Sequence, residues 1–118
     1  MSQNIGKEMA ALACRALEEK KAVDIKVINI EKVSTIADYF IIASGNNVNQ
    51  VQAMVDNVEE TLGKAGFDPK QIEGYHGASW VLMDYGDLVV HVFDEENRRF
   101  YDLERIWRDG SLVDYREL

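Results

Sequence analysis

Trp80-Val81-Leu82-Met83-Asp84-Tyr85-Gly86-Asp87-Leu88-Val89-Val90-His91-Val92-Phe93 decides how this chain is read. The residues before Gly86 and those after Asp87 are β-branched, aromatic and aliphatic, the composition of strands. Gly86-Asp87 is a two-residue loop of the kind that joins antiparallel strands through a primed turn. Such a turn fixes the register, and the register says which side chains share a face. Tyr85 pairs with Leu88, Met83 with Val90 and Val81 with Val92, giving an apolar face that reads as core. Asp84 meets Val89, Leu82 meets His91 and Trp80 meets Phe93 on the other face. That face mixes aromatics, a carboxylate and a histidine. Two readings of it stand open: a surface where a partner docks on Trp80, or a second buried face under a helix, with His91 hydrogen-bonded inside.

Outward from the hairpin, the pattern gives α-β-β-α-(β)-β-β-α. Ser2 to about Lys20 is predicted helical, with Ile5, Met9, Leu12 and Ala16 on one stripe. Asp24 to Ile30 is a strand, and Glu31 to Ala37 a connection. Tyr39-Phe40-Ile41-Ile42-Ala43 is continuously apolar, as a central strand buried on both faces requires. Ser44-Gly45-Asn46-Asn47 ends it and caps a helix whose stripe is Val48, Val51, Val55, Val58 and Leu62. Gly66 stands where a left-handed residue closes that helix. Gln71-Ile72-Glu73 is a short edge strand. Asp94 caps a final helix with Glu95 and Glu96 in its first turn. Glu95–Arg99, Arg98–Asp102 and Glu104–Arg108 are opposite charges four apart, and Phe100, Leu103 and Trp107 share its inward face. Gly110 ends it, leaving residues 110–118 as a loose tail or late strand. The fold class is α/β (α+β): one domain over residues 1–118, with a mixed sheet of about 4–5 strands and helices packed against it.

At 118 residues the chain can bury a modest core. No apolar run nears the roughly 20 residues that span a bilayer, and Ser2 to Lys7 begins no signal peptide. A lone Cys14 excludes an internal disulfide framework and suits a reducing compartment. It lies among alanines on a predicted helix, the setting of an inert thiol. The net charge is −8, unevenly placed. Residues 1–66 hold 7 Lys and Arg against 9 Asp and Glu, a net of −2; residues 67–118 hold 6 against 12, a net of −6. Nucleic acid wants a basic footprint, and this chain offers the reverse. An acidic half suits solubility, and it suits a basic partner.

The chemistry-bearing groups form no constellation. Two histidines and a cysteine, far apart, lack metal-ligand spacing. His91 has no evident serine or cysteine to activate. Ser44-Gly45 sits at a strand–helix junction where amides can meet a phosphate, but one glycine without a lysine is the signature of a cap. Asp94 and Glu96 have the spacing of a strand carboxylate pair, yet acids at a helix start are explained by its dipole. Asp84 and Asp87 flank a turn and splay apart. No cofactor and no metal are called for.

Asp38-Tyr39-Phe40-Ile41-Ile42-Ala43-Ser44-Gly45, Trp80 to Asp87, Val90-His91-Val92-Phe93 and Arg98-Arg99-Phe100-Tyr101-Asp102-Leu103-Glu104-Arg105-Ile106-Trp107 together resemble the ribosomal silencing factor family, also called Iojap-like. The resemblance runs from the first helix to Trp107. It implies a nucleotidyltransferase-like fold, no catalysis, a tendency to form homodimers, and a cytoplasmic protein in bacteria. It implies binding to the large ribosomal subunit through a basic ribosomal protein on the face that meets the small subunit, so that subunit joining is blocked and translation falls. Organellar relatives act in large-subunit assembly. On that reading Trp80 anchors the partner, with Asp84 and His91 beside it. Asp87 and Glu95 meet Lys or Arg of the partner, and Arg99 and Tyr101 are further candidates. Two alternatives remain open at this point: a divergent metal-dependent nucleotidyltransferase, with Mg²⁺ and a nucleotide near Ser44-Gly45, and a dimerising scaffold for an unrelated basic protein.

Overall fold

The hairpin forms in the predicted register. The computed structural model describes residues 5–32, 37–95 and 111–113. In it Trp80 faces Phe93, Val81 Val92, Leu82 His91, Met83 Val90 and Asp84 Val89. The Tyr85 amide donates to the Leu88 carbonyl at 2.8 Å. Gly86 has φ +90, and Asp87 is not among the residues of positive φ. Positive φ at the first loop position alone is the II′ pattern, whose twist matches that of the strands.

Around this hairpin the chain orders itself as α1 (Ile5–Glu19), β1 (Val23–Asn29), β2 (Tyr39–Gly45), α2 (Val48–Lys64), β3 (Gln71–Glu73), β4 (Trp80–Asp84), β5 (Leu88–Asp94) and β6 (Ser111–Val113). One mixed sheet runs β3-β4-β5-β2-β1-β6. Among the described residues only β2 and β5 are parallel, every other neighbouring pair being antiparallel. The described sheet has six strands, where about 4–5 were expected. The addition is β6, which pairs with β1 from Val27↔Val113 to Asn29↔Ser111. Three residues carry too little periodicity to separate a strand from a tail. The helix predicted after Asp94, with Phe100, Leu103, Trp107 and its charge pairs, lies outside the described residues.

Both helices pack on one face of the sheet. Met9, Ala10, Ala13, Cys14 and Leu17 of α1 and Val51, Met54, Val55, Val58 and Leu62 of α2 meet Val27, Ile41, Ala43, Met83, Val90 and Val92 in one core. The buried side of α1 is shifted from the expected stripe: Gly6, Ala10 and Ala13 approach the sheet, while Ile5 is 43% exposed. Small residues let a helix sit close, and apolar spacing alone did not weigh them. Val48, at the start of α2, is likewise 45% exposed. Burial pushes the Cys14 thiol up to about 12, the state of an inert core sulfur. On the opposite face Ile28, Ile30, Phe40, Ile42, Val89 and Phe93 form a second buried cluster edged by Trp80 and Leu82. Every residue of β2 is buried, as its apolar run foretold.

Side chains of α2 fasten α1. Asn57 Nδ2 donates to the Ala16 carbonyl at 2.8 Å and to Glu19 Oε1 at 2.9 Å. Gln50 Nε2 donates to the Lys20 and Lys21 carbonyls at 3.1 and 3.0 Å. The Ala16 carbonyl is one that the end of a helix leaves without a partner of its own, and those of Lys20 and Lys21 follow directly after α1. At the other end of α2, the Phe67 amide returns to Leu62 O and the Gly66 amide to Gly63 O, with Gly66 at φ +94. That paired closure is the Schellman motif.

Two substitutions separate backbone from side-chain control. At Gly74, φ is +82 and an added Cβ collides with the Trp80 carbonyl oxygen. Gly74→Ala is expected to lower stability by about 2 kcal/mol or more. The Tyr85 hydroxyl is buried without a hydrogen-bond partner among the described residues. Tyr85→Phe is therefore expected to leave stability unchanged or raise it by about 1 kcal/mol. Urea unfolding midpoints rank the two.

Candidate functional site

The mixed hairpin face is built around one hydrogen bond. Trp80 opens β4 and His91 lies two residues along β5, opposite Leu82. Antiparallel pairing puts the two rings on the same side, diagonal to each other. Trp80 Nε1 donates to His91 Nδ1 at 3.0 Å. The indole also stacks on Phe93, its cross-strand partner, at 5.3 Å between centroids and 25° between planes. Phe40, from β2, tilts against His91 at 4.8 Å.

His91 is 4% exposed, whereas Trp80 is half-buried. The buried reading holds for His91, which is hydrogen-bonded inside, while Trp80 beside it keeps part of its ring in solvent. Desolvation alone drives the His91 ring down to about 4. At neutral pH it is an uncharged acceptor at Nδ1, with its proton on Nε2. That Nε2 is buried and has no partner among the described residues.

The remaining predicted residues fall at the two ends of the hairpin. Glu95, exposed, follows β5 at the Trp80 end. The Asn46 amide, with its nitrogen turned toward Glu95, donates to that carboxylate at 3.3 Å. Asp84 and Asp87 lie at the turn, four residues along β4 from Trp80, which is about 13 Å of extended chain. Asp84 Oδ1 accepts from the Gly86 amide at 2.8 Å and so orders the turn. The Asp87 carbonyl accepts from the Asp38 and Tyr39 amides at 2.9 and 3.2 Å, while Asp87 itself is exposed. Arg99 and Tyr101 lie outside the described residues.

One acidic neighbour was not anticipated. The Asp38 carboxyl is raised above its usual range, by desolvation first and then by the charges of Glu31 and Asp87. Glu31 comes near Asp38 across the β1–β2 connection, where Asn29 pairs with Tyr39. Asp87, distant in sequence, meets Asp38 because Tyr39 stands beside Leu88 in the parallel β2–β5 ladder, and only knowledge of that pairing could have found it.

The strand–helix junction after β2 is a structural device. An added Cβ on Gly45 would lie 2.9 Å from Val51 Cγ2 and 3.2 Å from Met54 Sδ, so a side chain there would require these residues of α2 to shift. Asn47 accepts from the Gln50 amide at 2.8 Å, and Gln50 Oε1 accepts from the Asn46 amide at 2.6 Å. This reciprocal arrangement is close to a capping box. Among the described residues no group of three or more His, Cys, Asp and Glu could hold a metal ion, and no helix is long and apolar enough to cross a membrane.

Among the described residues, then, an α+β sheet packs on α1 and α2, and its β4–β5 hairpin carries a half-buried tryptophan hydrogen-bonded from beneath, with carboxylates at both ends. The model of the family described as ribosomal silencing factor during starvation matches residues 3–118. The ribosomal silencing factor RsfS of Halalkalibacterium halodurans is 41% identical over 107 residues, covering 91% of this chain and 92% of that protein. The mouse protein named mitochondrial assembly of ribosomal large subunit protein 1 is 34% identical over 101 residues, 83% of this chain and 44% of its own length. A crystal structure of a protein from Chromobacterium violaceum superposes with a TM-score of 0.83 at 38% identity, covering 85% of this chain and 83% of that one. The chain belongs to the ribosomal silencing factor family.

Stability should depend on pH through His91. In the unfolded chain the ring takes a proton near 6.5, and in the fold only near 4. The unfolded state binds the extra proton between those values, so the contribution is complete above about pH 6.5 and is lost as pH falls toward 4. At pH 5 the loss is about 2 kcal/mol. Urea unfolding at pH 7.5 and 5.0 measures it, with His91→Phe expected to show the smaller pH dependence.

Proposed function

We propose that this protein is a translational repressor that binds the large ribosomal subunit through a basic ribosomal protein and keeps the small subunit from joining. Family membership carries the coarser part, a ribosome-associated silencing role. The name of the mouse relative supports the large subunit as the particle bound. The hairpin face supports the mode of binding. Trp80 supplies a half-buried aromatic anchor of the type that dominates interfaces. Glu95 at the Trp80 end of the hairpin and Asp84 and Asp87 at its turn supply negative charge suited to Lys and Arg of a partner, and His91 supports Trp80 from below. Arg99 and Tyr101 complete the proposed contact set from the sequence.

The single observation that carries this reading is Trp80 held at the surface by a buried histidine within an acidic protein of net charge −8. An acidic module on a ribosome is suited to gripping a basic protein rather than RNA phosphates. Inhibition is steric. The molecule has a radius of gyration of 12.9 Å and extents of 41 × 32 × 25 Å, enough bulk at a subunit interface to prevent docking without chemistry. The role is regulatory rather than catalytic, the site of action in a bacterium is the cytoplasm, and the free protein is a homodimer.

Co-sedimentation with isolated large subunits tests the reading. Trp80→Ala should weaken binding by about 2 kcal/mol or more. Wild-type binding by a folded Trp80→Ala protein would remove this face from the interface. Asp87→Asn should slow association and flatten its dependence on salt, with little change in dissociation.

A further inference from the structure

We infer that His91 is a positioning residue: by taking the Trp80 indole N–H it fixes the ring on which the partner docks, so that Trp80 offers carbon surface rather than a hydrogen bond. This rests on the docking reading above and assigns His91 a role distinct from contact with the partner.

The argument begins with what surrounds His91. Among the described residues its ring neighbours are Phe40, Trp80 and Phe93, at 4.8, 5.9 and 6.4 Å between centroids. Its cross-strand neighbours are Ile42 and Leu82. An apolar ring of similar shape would suit all of these except one group, the Trp80 N–H. Histidine in this place carries a penalty, because its own Nε2 proton is buried with no acceptor among the described residues. The interaction that histidine supplies and phenylalanine could not is the bond from the indole.

That bond settles what stacking leaves undetermined. The Phe93 ring, 25° from the indole plane, sets the plane of Trp80. Stacking does not decide which edge of the indole points inward. The Nε1–Nδ1 bond at 3.0 Å does, by tying the pyrrole edge to the sheet. The ring is then ordered before a partner arrives, and the entropy of ordering it is not charged to binding. With the N–H already given to His91, affinity at Trp80 comes from packing against its carbon atoms.

Variants at His91 and Trp80, assayed on isolated bacterial large subunits, test this, with NMR exchange of the Trp80 Nε1 proton as the structural readout wherever Trp80 is kept. His91→Phe should speed that exchange and raise the dissociation rate about three- to tenfold. His91→Gln, whose side-chain oxygen can accept, should restore part of both. In a Trp80→Phe background, which has no N–H to hold, replacing His91 by Gln or Phe should leave dissociation unchanged. Wild-type dissociation by His91→Phe, or an effect of His91 that persists in Trp80→Phe, would overturn the inference. Should His91→Phe fail to fold, the Gln comparison with and without Trp80→Phe decides it. Trp80→Ala separates the two claims: undiminished binding there defeats the docking reading itself, whereas lost binding there with unaffected His91 variants defeats only the positioning role.

Discussion

The parallel pairing of β2 with β5 is the constraint on which the rest of this molecule depends. It runs without a break from Tyr39↔Leu88 to Gly45↔Asp94 and joins two strands that are almost wholly buried. Parallel neighbours cannot be joined by a tight turn. The chain must leave at Gly45, cross through α2, build β3 and β4, and return at Leu88. That detour brings α2 onto the same face as α1 and places the β4–β5 hairpin beside the centre of the sheet. Alternate residues of β5 then divide between two cores: Leu88, Val90 and Val92 under the helices, Val89 and Phe93 on the other side.

The two faces of the sheet are chemically unequal. The helical side is closed mainly by aliphatic and small side chains, with Tyr39 and Tyr85 among them. The other side concentrates Phe40, Trp80, His91 and Phe93 into one aromatic group that holds the Trp80–His91 hydrogen bond. A buried polar pair inside an aromatic cluster confers orientation more than stability. This is why the hairpin can hold a tryptophan partly in solvent without leaving it loose. Acidic groups lie at both ends of the hairpin, so charge and anchor are supplied by the same short element.

Much of this was legible in the sequence where the determinants are local. Gly86-Asp87 dictated a register that holds at every pair. The unbroken apolar run of β2 reported burial on both faces, and Asn47 and Gly66 marked the limits of α2. What escaped was set by contacts distant in sequence. Gly45 owes its identity to Val51 and Met54 folding back over it, and Gly6, Ala10 and Ala13 define the buried side of α1 through closeness to the sheet rather than hydrophobicity. The strand β6 acquires meaning only beside β1. The candidate site divides in the same way. Trp80, Asp84, Asp87, His91 and Glu95 could be named from the hairpin, but which of them is buried follows from Phe40 on a neighbouring strand. The meeting of Asp38 with Asp87 follows from the parallel ladder.

Gln50 has a consequence of its own. Its oxygen receives the amide of Asn46 at the beginning of α2, while its nitrogen reaches the carbonyls of Lys20 and Lys21 just beyond the end of α1. One side chain is thus both a start signal and a stop signal. The corner from Glu19 to Val23 is measured against it, and a residue inserted there would carry both carbonyls out of reach. The length of the corner between the first helix and the strand that follows it is matched to the reach of one side chain.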